Sequence, residues 1–387
     1  MNAKRKRMAT FLNGITKMAS LVSVVVLLLI FSFIFKQGAP RLNKDLLFSQ
    51  YWAENFVFEK TVLANDFSND DAQGIYASQF GIGLEDATNH HKEKVVKVVY
   101  LAEGHPFEAM KVNQQIESIE ITTAQGIETI GPIYGDNAES TIAKLETAKA
   151  INFIYYKSDS GGIWGSLKAT LMLIGLSLVF ALPIGLFTAI YLSEIAHEGK
   201  FKHLVQSSIE LLAGVPSIVF GLMGVVVLYP ITAFFKVEGL SILLGSLTMA
   251  VILLPIIIRT IQESLEVVPS SYRFASYALG ATEIETIFKV VIPSALPGIL
   301  SAVLLAVSRI IGESAALIYT MGSFINDAPK LNQAATSLAV HIWSIMSQEQ
   351  PDFALASAIS LIILLIVLIL NVSVKLLGRR LNKGVVS

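Results

Sequence analysis

Apolar residues gather along this chain in long unbroken runs rather than at the spacing of an amphipathic helix or strand. Crossing a bilayer takes about 20 mostly apolar residues at roughly 1.5 Å of rise each. Six stretches meet that requirement: Met18–Phe35, Leu171–Tyr191, Leu211–Tyr229, Leu240–Ile258, Leu296–Tyr319 and Phe353–Val374. They are apolar on all faces, which suits lipid better than the core of a soluble protein. The pattern predicts an all-α polytopic membrane protein with six transmembrane helices. Between the first and second runs the character changes. Residues 40–160 are too polar to span, and Lys94–Leu101, Ile116–Ile121 and Ile151–Tyr156 read as strands, with a helix over Asn137–Ala148. The expected organisation is a leader and first helix at 1–39, an α+β insert at 40–160, and a five-helix core at 161–387.

Composition sharpens this reading. Hydrophobic residues make up 53% of the 387 and charged residues 15%, with a mean hydropathy of +0.62; an ordinary soluble domain carries about 25% charged residues. The chain has no cysteine, which excludes disulfides, thiolate metal sites and a cysteine nucleophile. Its net charge of −1 hides a partition: residues 40–160 hold 18 acidic and 10 basic side chains, and the remainder 12 acidic and 19 basic.

Orientation follows from where the lysines and arginines lie. Lys4, Arg5, Lys6, Arg7 and Lys17 precede the first run. Lys200 and Lys202 fall between the second and third, and Arg259, Arg273 and Lys289 between the fourth and fifth; Lys375, Arg379, Arg380 and Lys383 follow the last. The loops of the opposite side carry Lys236 and Lys330. Both termini are therefore expected in the cytoplasm of a multi-pass cell-membrane protein, with residues 40–160 outside. The first run is longer than the apolar core of a signal peptide, about 7–15 residues, and Lys36-Gln37-Gly38-Ala39 makes a poor cleavage site, so the run is expected to be retained.

The segment between the fourth and fifth runs reads Pro269-Ser-Ser-Tyr-Arg-Phe-Ala-Ser-Tyr-Ala-Leu-Gly280, then Ala-Thr282-Glu-Ile-Glu285-Thr-Ile-Phe-Lys-Val-Val-Ile-Pro293. Ser270 or Ser271 can cap a short helix that Gly280 stops. Thr282 and Glu285 have capping-box spacing for a second helix, which Pro293 is expected to end by disfavouring helical backbone at Ile292. The result is an exposed helix–turn–helix suited to docking.

Arg309 and Glu313 fall near the middle of the fifth run. A charge at the bilayer centre costs about 2.5–3.5 kcal/mol on insertion scales, so such groups face a cavity or each other. Four residues apart, they share one helix face, with Ser308 close by and Gly312 expected to admit a neighbouring backbone. A packing pair is one reading. The other is an anion path, in which Arg309 offers a planar fork of donors to a tetrahedral oxyanion and Glu313 holds it in place, with Ser308 and Ser314 alongside. Elsewhere, Glu210 is expected at the start of the third span, Pro216 and Pro255 as bends, and Lys168 snorkelling to the surface. His341 with Trp343 should be interfacial packing, and Asp70-Asp71 and His90-His91 solvated loop residues. No phosphate-cradling loop exists: the Gly199-Lys200 pair is followed by Phe201.

These residues carry a resemblance. The segment at 269–293 is similar to the coupling loop of ABC-importer permeases, whose pattern is Glu-Ala-Ala, three residues, Gly, nine residues, Ile, one residue, Leu-Pro. Phe274-Ala275-Ser276, Gly280, Val290 and Ile292-Pro293 keep the spacing; Phe274 replaces the usual Glu, and Ser276 an Ala. With Ala213–Gly221, Ser308–Thr320 and Ser337–Trp343, the chain resembles the PstA family of phosphate-importer permeases. The resemblance implies a type I ABC-importer permease fold, a PstC-like permease partner, two cytoplasmic ATPase subunits that bind ATP and Mg, and an extracellular phosphate-binding protein. The chain itself would be no enzyme and would hold no cofactor or metal. Its surroundings would be the lipid bilayer, not a nucleic acid. Coupling would fall to Phe274, Ala275, Ser276, Gly280 and Pro293.

The insert resembles a PDZ domain in the order of Phe80-Gly-Ile-Gly-Leu84, a strand ending at Leu101, Gly104–Val112 and Ile116–Ile121. Such domains hold a peptide carboxylate on loop amides beside a strand edge. Asn113-Gln114-Gln115 stands where Gly-Asp is usual, and Gly104-His105-Pro106-Phe107 where Gly-Ser-Pro-Ala is. A docking or spacer domain is the plainer reading of the insert. Three functions stay open: a phosphate-importer subunit, a permease of the same architecture for sulfate or molybdate, and a receptor that moves nothing.

Overall fold

The computed structural model describes residues 3–67, 73–89, 93–107, 109–158 and 160–383. Asp70-Asp71 and His90-His91 lie outside them. The chain divides into two units, Met1–Asn43 with Gly165–Ser387, and Lys44–Trp164. It opens with the long helix α1 (Ala3–Gly38), which belongs to the first unit.

The inserted unit runs α2 (Lys44–Phe48), β1 (Asn55–Leu63), β2 (Ile75–Ala77), β3 (Ile82–Thr88), β4 (Lys94–Leu101), β5 (Gln115–Thr123), β6 (Gly126–Ile130), α3 (Ala138–Glu146) and β7 (Ala150–Lys157). The strands form one antiparallel sheet in the order β1-β7-β5-β4-β3-β2, with β6 on β5. Alternation drives it: Ile119, Ile121, Val96, Val98, Ile82 and Leu84 are fully or almost fully buried, against Phe80, Phe107, Ile142 and Leu145. The four elements read from sequence appear within a residue or two. β1, β2, β3 and β6 do not show there, because Gly83 interrupts one, two are too short, and Asn55–Leu63 is exposed over most of its length.

Two local features matter. Backbone N–H groups of Phe80 and Gly81 donate to the Ala77 carbonyl, at 3.2 and 3.0 Å, and β2 pairs with β3 over Ile82–Leu84. The strand edge expected to receive a peptide beside the Gly81-Ile82-Gly83-Leu84 loop is therefore taken by the chain itself. The second feature is the start of α3, where Asn137 and Ser140 form a capping box. Beside it Asp136 accepts from the Gly131 amide at 2.9 Å and from Lys144 Nζ at 2.8 Å.

The membrane unit continues with α4 (Trp164–Ile190), a π turn at Tyr191–Ile195, α5 (Lys200–Gly214) and α6 (Ser217–Met223). A second π turn at Gly224–Leu228 leads into α7 (Tyr229–Phe234), followed by α8 (Ile242–Glu266), α9 (Ser270–Ala278) and α10 (Glu283–Thr286). A third π turn at Ile287–Val291 leads into α11 (Ile292–Gly312), then α12 (Ala315–Thr320), α13 (Leu338–Met346) and α14 (Phe353–Lys383). Among the described residues six helical stretches are long and apolar enough to cross a membrane: Phe11–Arg41, Trp164–Ile195, Ser217–Phe234, Ile242–Glu266, Glu283–Gly312 and Phe353–Leu376.

The third of these corrects the sequence reading. Leu211–Gly214 belong to α5, and the span starts at Ser217. Pro216 forces Val215 out of helical backbone (ψ 130°), so it breaks the chain rather than bending it. Glu210 accordingly lies near the end of α5, where it meets Arg259 of α8 at 3.3 Å. Both side chains are largely exposed, so the pair contributes under about 1 kcal/mol. Pro255 does sit inside α8, as Pro183 and Pro297 do inside α4 and α11. Lys168 does not snorkel freely: its Nζ donates to the Asp327 carbonyl at 2.7 Å.

α8 is the centre of this unit. Ile242, Leu244, Met249, Leu253, Ile257, Ile261 and Leu265 are all fully buried, whereas the apolar window of α1 is exposed throughout. In lipid, helices gain little by burying apolar surface on each other, so close packing of small residues holds them together. At Gly221 an added Cβ would stand 2.9 Å from Ala316 Cα. At Gly224 it would stand 2.3 Å from Thr248 Oγ1 and 2.8 Å from Thr320 Cγ2. The third span is thus pressed against α8 and α12 with no room for a side chain.

Gly224→Val should cost about 1–3 kcal/mol by overpacking and lower the melting temperature of the detergent-solubilised protein; an unchanged melting curve would contradict this packing. In the inserted unit burial pushes the Asp136 carboxyl up, but the Gly131 amide and Lys144 outweigh it and hold its pKa below the usual range. Its contribution is present at neutral pH and fades as pH falls through that lowered value. Asp136→Asn should therefore flatten the acid-induced loss of β-sheet signal in the intact chain, measured by circular dichroism.

Candidate functional site

Two regions of the membrane unit concentrate polar chemistry. The first is the end of α11. The helix stops at Gly312, and Glu313 takes extended backbone (φ −80°, ψ 126°) before α12 begins at Ala315. The expectation of one unbroken helix face through Arg309 and Glu313 is thus corrected: they flank a break. They meet nonetheless, because Glu313 folds back. Its Oε2 lies 3.1 Å from Arg309 Nη2, while its Oε1 accepts from the Ala316 amide at 3.2 Å. One carboxylate therefore both holds the arginine and satisfies an orphan donor at the start of α12. Glu313 is buried, at 4% exposure, and Arg309 is 46% exposed.

Ser301, Ser308, Arg309 and Gly312 fall on one stripe of α11 at exposed or half-buried positions. The Ser308 hydroxyl donates to the Leu304 carbonyl and that of Ser301 to Pro297, so both are tied to their own helix. Ser314 sits in the break itself, half-buried. Gly312 does not admit a neighbouring backbone; nothing lies within 4 Å of where its Cβ would stand. Non-helical backbone at membrane depth persists only where protein or a polar cavity receives it.

The second region is the hairpin α9–α10. Neither Ser270 nor Ser271 caps α9; Pro269 takes the cap position with extended backbone, and both serines lie in the first turn. Gly280 adopts φ +84°, a left-handed conformation that reverses the chain after α9. Thr282 and Glu285 form the expected capping box. The Ser276 and Thr286 hydroxyls, 2.8 Å apart and buried, fasten the two helices together. The serine that replaces the family's alanine thus has a structural partner.

Pro293 does not end the second helix. The π turn at Ile287–Val291 changes the hydrogen-bond register just before it, and the helix runs on into α11 with Pro293 in its first turn, where a missing N–H costs least. The hairpin's second helix and the fifth span are therefore continuous. The outer face of the hairpin is apolar: Phe274 is 68% and Leu279 90% exposed, beside a groove of about 420 Å³ lined by Tyr272, Ala275, Leu279, Ala281, Lys289 and Val290.

Sequence reasoning missed one contact. Arg273 Nε donates to Glu194 Oε2 at 3.0 Å and its Nη2 to Oε1 at 2.6 Å, joining α9 to the end of the second span. A carboxylate at the end of an apolar run, with an arginine in the motif loop, is the signal that could have suggested it. His341, expected as interfacial packing, is instead fully buried on α13, its Nδ1 2.9 Å from Ser166 Oγ.

The membrane unit is thus a bundle of helices long and apolar enough to cross a membrane, with an exposed apolar hairpin and a charged break in one span. Residues 181–385 match the family described as binding-protein-dependent transport system inner membrane component. The chain belongs to that family and is a multi-pass membrane protein, an ABC-importer permease subunit. It is 30% identical over 256 residues to the probable ABC transporter permease protein YqgI of Bacillus subtilis, covering 60% of this chain and 85% of that protein. It is 33% identical over 217 residues to the phosphate transport system permease protein PstA 1 of Mycobacterium tuberculosis, covering 55% and 69%. With PstA of Haemophilus influenzae it shares 32% over 220 residues, covering 57% and 76%.

Gly280→Ala should cost about 1–2 kcal/mol from the left-handed backbone, although the site has open space, and Thr282→Ala about 1 kcal/mol from the lost cap. Thermal unfolding of the purified chain checks both; two neutral substitutions would contradict this account of the turn.

Proposed function

We propose that this chain is a channel-forming subunit of an ATP-driven importer of inorganic phosphate. The single observation that carries the reading is the Arg309–Glu313 pair at the break of the fifth span, on a chain with phosphate-permease relatives. An exposed guanidinium suits a tetrahedral oxyanion, since its planar fork matches two oxygens at once. The buried Glu313 holds it when no anion is present and offers an acceptor for the proton of monohydrogen phosphate. Ser308 and Ser314 line the same path.

The hairpin is the docking surface for cytoplasmic ATPase subunits, two of them, which bind ATP and Mg. Phe274, Ala275 and Ser276 present the contact, Gly280 sets the turn, and Pro293 stands where the hairpin becomes the fifth span. With phenylalanine in place of glutamate, this contact is apolar rather than ionic. Rigid-body movement of the docked hairpin would rock the third to fifth spans around Arg309 and alternate access to it. The remaining partners are a PstC-like permease and an extracellular phosphate-binding protein. The lysine and arginine distribution supports cytoplasmic termini and an extracytoplasmic inserted unit. With β2 covering the edge of β3, that α+β unit suits docking or spacing rather than peptide capture at that edge.

Radiolabelled phosphate uptake into proteoliposomes of the whole complex tests this. Arg309→Lys should leave assembly intact and lower uptake roughly tenfold to a hundredfold, as expected for losing a charge-assisted hydrogen-bond pair. Normal uptake in that variant would reduce the pair to a packing role. Equal competition by sulfate would instead favour a broader oxyanion permease, and uptake without nucleotide would overturn the ABC mechanism.

A further inference from the structure

A docking hairpin transmits force only if it cannot flex on its own base. α9 is bounded by Pro269, with extended backbone, and by Gly280, with φ +84°. Both are points about which a nine-residue helix could rock. Its attachment on the α10 side is the Ser276–Thr286 hydrogen bond. On the other side stands Arg273, and its surroundings are unusual for a loop arginine.

Four N–H groups of Arg273 are engaged at once. Two make the fork-to-fork pair with Glu194, at 3.0 and 2.6 Å. Nη1 donates to the Val268 carbonyl at 2.7 Å and Nη2 to the Leu265 carbonyl at 3.1 Å. These carbonyls belong to the last turn of α8 and the residues just after it, and that of Leu265 also accepts from the Val268 amide at 3.2 Å. Glu194 comes from the π turn that extends α4, whose Leu192 is buried in the core. An extra residue in that turn rotates the downstream side chains by roughly 100° relative to a continuous α-helix. The side chains are 20% exposed for Arg273 and 9% for Glu194, so solvent does not compete strongly with the pair. One planar group therefore joins the ends of the second and fourth spans to the middle of α9. A lysine, as a single point charge, would not reach all three.

We propose that Arg273 and Glu194 are the positioning pair that fixes the coupling helix to the second and fourth spans, so that a push on α9 moves these spans with the fifth instead of rocking α9 about Pro269 and Gly280. The inference rests on the hairpin being the ATPase docking site. Neither residue touches the transported ion; both act through α9. The pair divides the labour of the hairpin: Phe274 and the apolar groove receive the motor, and Arg273 ties the received motion to the bundle.

The test uses the full complex in proteoliposomes, with phosphate uptake and ATP hydrolysis measured on the same preparation. Arg273→Lys and Glu194→Gln should retain the nucleotide-hydrolysing subunits and hydrolyse ATP, while the phosphate moved per ATP falls about tenfold, as for loss of a moderate coupling energy. Phe274→Ala should behave differently, losing the subunits themselves. The absence of native cysteine allows a second, variant-independent measurement: spin labels at His197→Cys and Ser270→Cys, both exposed positions. With Arg273 and Glu194 intact, the distance between them should be the same in the nucleotide-free and ATP-trapped complex, and it should broaden in Glu194→Gln. An unchanged transport ratio in both variants, or a distance that shifts between the two states with the pair intact, would overturn the clamp. If either variant fails to assemble, the distance measurement on the intact pair decides. A complex that never retains nucleotide-hydrolysing subunits would overturn the docking reading itself, a separate failure.

Discussion

A charged group inside an apolar bundle must have its opposite charge and its hydrogen-bond partners supplied by the protein, because lipid offers neither. In this chain that constraint is met twice by the same device, a glutamate at a helix end facing an arginine. Glu313 closes α11, forms an ion pair with Arg309 and accepts from the Ala316 amide. Glu194 closes the π turn after α4 and takes both arms of Arg273. Much of the local geometry of both regions depends on these two carboxylates. One places a guanidinium at the break in a span; the other ties the exposed hairpin to the spans beneath it.

Between those points the bundle is stiff. α8 runs through its middle, buried on most of its surface, and Gly221 and Gly224 bring the third span into backbone contact with α12 and side-chain contact with α8. Such close contacts leave little room for the third span to shift on its own. The helices carry several backbone irregularities. Three π turns interrupt the second, third and fifth spans, and the extended residue at Glu313 interrupts the fifth again. Two of them, at Glu194 and Glu313, hold the two ion pairs.

The inserted unit is built on a different principle. Its sheet buries Phe80, Phe107, Ile119 and Ile154 in a core of its own. The pairing of β2 with β3 also shows how a local motif can mislead. The Gly81-Ile82-Gly83-Leu84 spacing suggests an open receptor loop, yet the residues just before it fold back and occupy the edge it was expected to offer.

The number of spans, the bounds of the last of them and the start of the hairpin's second helix were legible in the sequence, since each depends on local properties; the other spans differ from the apolar runs by several residues at one end or both. Apolar length decides whether a segment can cross a membrane, and Thr282 with Glu285 satisfies amides three residues away. Other features depend on how segments meet or continue in three dimensions, and those only the tertiary structure decided. Glu194 meets Arg273 across 79 positions. Pro293 stays helical because a π turn precedes it, and the third span begins at Ser217 because Pro216 separates it from an otherwise continuous apolar pattern. Glu313 leaves the helix to bond both Arg309 and the next helix. Apolar runs in lipid look alike on every face, so their sequence specifies that they cross but not which residues they turn toward one another.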